Sequence, residues 1–97
     1  MKIHWTKTAE AHLDAIYAHV SQDSKTYALR IVDRITKRSK QIGMFPLSGR
    51  QVPEYDVDHI REVFFGPYRI LYHIKADQID VLAVVHGAMN MLHDEEE

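Results

Sequence analysis

The feature that most constrains this chain is a succession of three β-prone runs whose connections are too short to cross a sheet. Residues 59–65, 68–75 and 79–86 are rich in Val, Ile, Phe and Tyr, with Gly66-Pro67 between the first two and Ala76-Asp77-Gln78 between the last two. A parallel crossover needs roughly a dozen residues or more, so these neighbours must be antiparallel and form a meander. Ile79 to Val85 is nearly continuous in apolar residues, which marks the last run as a central strand covered on both faces.

Upstream the apolar period changes. Ala9, Leu13, Ile16, Tyr17 and Val20 recur at helical spacing, predicting a helix over 8–21 with Thr6 or Thr8 as its cap. Ser21 to Ser24 is a polar break, and Ala28, Ile31, Val32, Ile35 and Ile42 predict a second helix ending at Gly43. Neither helix can bury its stripe alone, so the two fold back into a hairpin. Residues 44–54 contain Pro46, Gly49 and Pro53 and read as a connecting loop. Ile3 to Trp5 is a short β-prone stretch able to add to one edge of the meander. The expected class is α+β: an N-terminal strand and an antiparallel helical hairpin packed on one face of a small antiparallel sheet.

At 97 residues there is room for one core, expected over 1–93 with an acidic tail at 94–97. Apolar residues at 45% argue against disorder, and the absence of cysteine excludes disulfides, thiolate nucleophiles and cysteine-held metals. The first residues turn polar at once, and no apolar run approaches the roughly 20 residues of a membrane span, which predicts a cytoplasmic protein. The net charge of −2 conceals an asymmetry: residues 1–50 carry nine Lys/Arg and four Asp/Glu, residues 51–97 three and ten. Such a chain can offer a basic face to an acidic partner while staying near neutral overall.

Four motifs stand in order: Gly49-Arg50-Gln51-Val52-Pro53-Glu54, Ile60-Arg61-Glu62, Tyr68-Arg69-Ile70-Leu71-Tyr72 and Val81-Leu82-Ala83-Val84-Val85-His86-Gly87. Their run resembles the RelE/ParE toxin superfamily, nearer its ParE branch. The resemblance implies the toxin of a type II toxin–antitoxin pair, silenced by a cognate antitoxin and needing no cofactor. ParE-like members bind DNA gyrase and trap it on broken DNA; RelE-like members are ribosome-dependent endonucleases that cut messenger RNA.

Metal-free RNA cleavage needs a base, an acid and cations around the phosphate. Of the residues that the nuclease branch uses, Arg69 is present. The first-strand lysine positions fall on Ile60 and Glu62, with Arg61 between them, and Met89 and Glu95 stand where an arginine and a terminal tyrosine would be. The nuclease reading therefore rests on Arg69, His86 and Arg61, and the gyrase-binding reading is favoured; a detoxified relative that keeps antitoxin binding is a third reading. His12 and His19 lie seven apart, a poor spacing for a shared metal. Arg50 and Glu54 flank Pro53 and suggest a loop-fixing salt bridge, while Tyr68, Ile70 and Tyr72 share a face expected near the sheet edge, with core packing the safer reading for Tyr72. Arg30, Arg34 and Arg38 make a basic ridge on the second helix. With Tyr68 and Met89 they are the expected partner-binding residues.

Overall fold

The computed structural model describes residues 1–87; Met89, Glu95 and the expected tail 94–97 lie outside the described residues. The elements are β1 (Lys2–Trp5), α1 (Lys7–Ser21), α2 (Lys25–Met44), a 3-10 turn (Pro46–Ser48), β2 (Arg50–Gln51), β3 (Ile60–Phe65), β4 (Tyr68–Ile74) and β5 (Gln78–His86). Thr6 caps α1 from an extended conformation, its hydroxyl oxygen accepting from Ala9 N at 3.1 Å while the hydroxyl donates to Val81 O at 2.8 Å. One side chain thus starts the helix and ties it to β5. Ser24 accepts from Tyr27 N at 3.1 Å and starts α2 in the same way.

The sheet order is β1-β5-β4-β3-β2. β3, β4 and β5 form the expected antiparallel meander, while β1 joins β5 in parallel from Lys2↔Gln78 to Trp5↔Val81, so the sheet is mixed. The stretch expected to be loop throughout contains β2, which pairs Arg50 with Glu62 and Gln51 with Arg61. β5 is interior and buried on both faces, as its apolar run requires, but the middle strand is β4. Tyr72 therefore lies away from the sheet edge expected for its strand face, and it packs in the core as expected for it. It is wholly buried at the centre of the sheet.

The register slips between Leu71↔Ala83 and Tyr72↔Val81, which leaves Leu82 as an extra residue on β5. That bulge lets Val81 and Val84, three apart, both face the helices. On the helix face Ala9, Ile31, Ile35 and Ile42 pack against Val63, Ile70, Tyr72, Ile79, Val81 and Val84. Each fully buried aliphatic side chain there contributes roughly 1.5–3 kcal/mol. On the opposite face Val52, Leu71, Ala83 and Val85 form a smaller cluster with Tyr55, Ile60 and Leu82. The segment after β2 folds over this face, and Tyr55 N and Asp56 N both donate to Val52 O.

Two glycines are required by geometry. Gly66 has φ +55 in the Gly66-Pro67 hairpin, the positive φ that a II′ turn needs at its first central position. At Gly49 a Cβ would lie 2.5 Å from both Glu62 O and the Tyr72 hydroxyl. Among the described residues no helix is long and apolar enough to cross a membrane.

Candidate functional site

The two faces of the sheet carry different chemistry. On the face away from the helices, β2, β3 and β4 bring Arg50, Glu62 and Arg69 together, and the loop after β2 adds Glu54. Glu62, its side chain shielded from water, accepts from Arg50 Nε through Oε2 and from Arg69 Nε through Oε1, both at 2.6 Å. Arg69 also grips Glu54 with both terminal nitrogens, at 2.9 and 2.8 Å. The Arg50 guanidinium stands 5.1 Å from the ring centroid of Phe64, a cation–π contact. Two cations and two carboxylates balance. The hydrogen bonds from Arg69 hold the Glu54 carboxyl below its ordinary range, and those to Glu54 raise the affinity of Arg69 for its proton.

This arrangement changes the roles expected for the loop and strand arginines. Arg50 and Glu54 do fix the loop, but through Glu62 and Arg69 as go-betweens. Arg61 donates from NH1 to Gly49 O at 2.8 Å, and from NH2 and Nε to Asp58 Oδ1 and O at 2.7 and 3.0 Å, so its fork is also holding backbone. Arg69 pairs with Val85 across β4 and β5, and Tyr68 with His86. Because successive side chains alternate, Arg69 and His86 point to opposite faces. The three residues expected for a nuclease site are not brought to one place.

The helix face brings more of the expected residues together. A cleft of about 490 Å³ opens between the α1–α2 turn and the β3–β4 hairpin, lined among others by Tyr27, Arg30, Arg34, Tyr68 and His86 over a floor of Val20, Ile31 and Phe65. His86 and Tyr68 meet edge to face with ring centroids 6.1 Å apart. Among the described residues no ion pair engages Arg30 or Arg34, and Asp23 is the carboxylate that lines the cleft. A second, apolar cleft of about 320 Å³ adjoins it, sharing His19, Tyr68 and His86 and adding His12, Ala15, Ile16, Val84 and Val85. Three of the expected partner-binding residues, Arg30, Arg34 and Tyr68, therefore come together with His86. Arg38 sits a turn further along α2, donating to Gln41 at 3.1 Å, and Met89 is outside the described residues.

Comparison with known proteins decides the family. The profile described as ParE toxin of type II toxin-antitoxin system, parDE, matches residues 3–91. The chain belongs to this family. Among solved structures, a chain of the chromosomal ParDE TA system from P. aeruginosa is similar at 28% identity, over 89% of this chain and 95% of that one, with a TM-score of 0.75. No curated protein sequence matches. Membership makes this chain the toxin component of a type II system, for which a cognate antitoxin is the partner.

For this ParE toxin the sequence reading missed Glu62, treated as a lost lysine position although it is the hub of the buried ion network. The signal available was three arginines and two glutamates spread over the first three of the four motifs. His12 was also missed: its Nδ1 accepts from Val84 N at 3.2 Å, a strand-to-helix bond that no sequence spacing announces. Tyr27, half-exposed on the first turn of α2, completes an i, i+3, i+7 stripe with Arg30 and Arg34 and could have been found from that spacing.

Proposed function

We propose that this ParE toxin acts in the cytoplasm by binding DNA gyrase, and that it does not cut messenger RNA. Family membership supports a toxin, and one observation supports the choice of target. Arg69, the one residue retained from the nuclease set, is clamped by Glu54 and Glu62 on the face opposite His86. A cation already neutralised by two carboxylates has little left to offer a phosphate whose charge is building in a transition state. Binding to a protein target needs only a presented surface, which the cleft and α2 provide.

The experiment pairs two assays on the same purified toxin. Supercoiling by purified gyrase should be inhibited, with cleaved DNA accumulating, whereas primer extension on translating ribosomes should show intact message. Codon-positioned cuts that vanish on Arg69→Ala, together with normal supercoiling, would reverse the proposal.

A further inference from the structure

The sheet face away from the helices carries a second polar group of residues, at the end of β4 opposite Arg69. Cross-strand register sets His4, Asp80, His73 and Ile60 in one row over β1, β5, β4 and β3. Ile60 packs with the smaller apolar cluster, which places the row on that face. His59 stands just before β3, where the alternation of the strand does not yet apply. Its ring lies against that of His73, with centroids 4.8 Å apart and planes inclined by 38°. Ile74 N donates to His59 O at 2.8 Å, so a backbone bond continuing the β3–β4 ladder holds the pair in place. The two histidines are 14 residues apart in sequence and meet only through that register.

Two imidazoles that share one metal ion obey a geometric limit. With metal–nitrogen bonds of about 2.0–2.1 Å, each ring centroid lies about 3.2 Å from the ion. Bond angles from about 90° to about 109° then place the two centroids roughly 4.5–5.2 Å apart. The observed 4.8 Å falls inside that window. Lys75, the lysine whose charge reaches His73, is held at Nζ by Asp80 Oδ2 at 2.6 Å, and Gln78 donates to Asp80 Oδ1 at 2.7 Å. Asp80 is thereby engaged, and among the described residues no group of three His, Asp or Glu stands ready to enclose an ion. His59 is exposed and His73 half-buried, so the pair is open to ions from solvent.

We propose that His59 and His73 form a two-histidine chelate for a divalent late transition-metal ion, Zn²⁺ or Cu²⁺, each ring giving one nitrogen lone pair and water filling the other positions. Imidazole suits these ions, whereas Mg²⁺ and Ca²⁺ require oxygen ligands. The ion ties the end of the covering loop, residues 52–59, to β4. Because an unfolded chain does not hold the two rings together, binding stabilises the fold by mass action.

The probes are ZnCl₂, CuCl₂ and MgCl₂, added to the full-length chain without an affinity tag. Substoichiometric Cu²⁺ should broaden the ring-proton resonances of His59 and His73 ahead of those of the other five histidines. At free Zn²⁺ about 100 times its dissociation constant the melting temperature should rise by roughly 10 °C, and Mg²⁺ at the same concentration should leave it unchanged. His59→Ala and His73→Gln should each weaken Zn²⁺ binding about tenfold or more, whereas His4→Ala, in the same row, should change it less than about twofold. Far-ultraviolet circular dichroism checks that each variant is folded, and the broadening in wild type needs no variant. Broadening spread evenly over all the histidines, unchanged affinity in His59→Ala, or an equal loss in His4→Ala overturns the inference. So does Mg²⁺ that stabilises as Zn²⁺ does. Absence of saturable Zn²⁺ binding at millimolar concentration overturns it as well and leaves the two rings as an aromatic contact. Gyrase plays no part in these readouts, so the inference and the proposed target are tested independently.

Discussion

Glu62 on β3 reaches diagonally to Arg69 on β4, Oε1 to Nε at 2.6 Å, with the carboxylate shielded from water. Burying such a pair is costly unless each group finds enough partners, and here the cost is offset by Arg50 on the second carboxylate oxygen and Glu54 on the outer guanidinium nitrogens. The network joins β2, β3, β4 and the loop that covers the second apolar cluster. The arginine that the family resemblance offers as a catalytic residue is, in this chain, the pin of a covering loop.

Removing one member should therefore leave an uncompensated buried charge. Glu62→Ala is expected to cost about 3–5 kcal/mol, the range for breaking a buried pair. In a domain of this size that lowers the melting temperature by roughly 10 °C or more. Chemical denaturation with far-ultraviolet circular dichroism measures it, and a loss below about 1 kcal/mol would mean that the pair is open to solvent.

Tyr72 gives a second stability test. Its hydroxyl donates to Pro46 O at 2.6 Å and accepts from Gly49 N at 3.1 Å, tying the 3-10 turn to the central strand. Burial pushes the phenol's pKa up. Tyr72→Phe leaves a part-buried carbonyl and a buried amide without that partner, for about 1–3 kcal/mol. Gly49→Ala should be at least as harmful, since its Cβ would collide with Glu62 O and the same hydroxyl. If either variant unfolds at the wild-type denaturant midpoint, the tie between turn and strand carries no weight.

Acid sensitivity should begin at a histidine. His73 is held below its ordinary value of 6.5, first by burial, then by the neighbouring His59 ring and Lys75, with Asp80 opposing. The two imidazoles lie 4.8 Å apart, centroid to centroid. A depressed folded value means that the fold prefers the neutral ring. The stabilisation is whole above the unfolded value near 6.5 and drains as pH falls through the lower folded value. Glu54 and Asp80, depressed chiefly by hydrogen bonds from Arg69 and Lys75, add a second loss of the same sign below about pH 4. Melting temperatures from pH 8 to 3 should thus fall in two steps, and His73→Gln should flatten only the upper one. A single step, unchanged in that variant, would remove His73 from the account.

The fold was legible where local rules suffice. Short connections fixed the meander, helical spacing placed both helices, and Gly66-Pro67 marked the hairpin. β2 was hidden because two residues cannot display alternation, and the central place of Tyr72 in the sheet because it depends on β2 and β3 lying outside β4. The site was half legible. Arg30 and Arg34 were named from charge and spacing and Tyr68 from its place beside Arg69, yet their union with His86 is tertiary. Arg69 was recognised by motif without its partners, since Glu54 and Glu62 are 15 and seven residues away in sequence. Only the strand register brings them together.

The structural role of Arg69 can be separated from a functional one by replacing the network rather than breaking it. Exchanging buried ionic groups for apolar ones of similar volume is often neutral or stabilising, whereas single truncations are not. Arg69→Ala alone should lose gyrase inhibition in proportion to its loss of folded protein. The triple variant Arg69→Met/Glu62→Leu/Glu54→Gln removes both carboxylates with the guanidinium and leaves Arg50, more than half exposed, to water. It should fold, and per folded molecule its inhibition of supercoiling should stay within about threefold of wild type, a difference under 1 kcal/mol. A triple variant that is folded, binds antitoxin as wild type does and yet leaves gyrase untouched would place Arg69 against the target and end its reading as a pin.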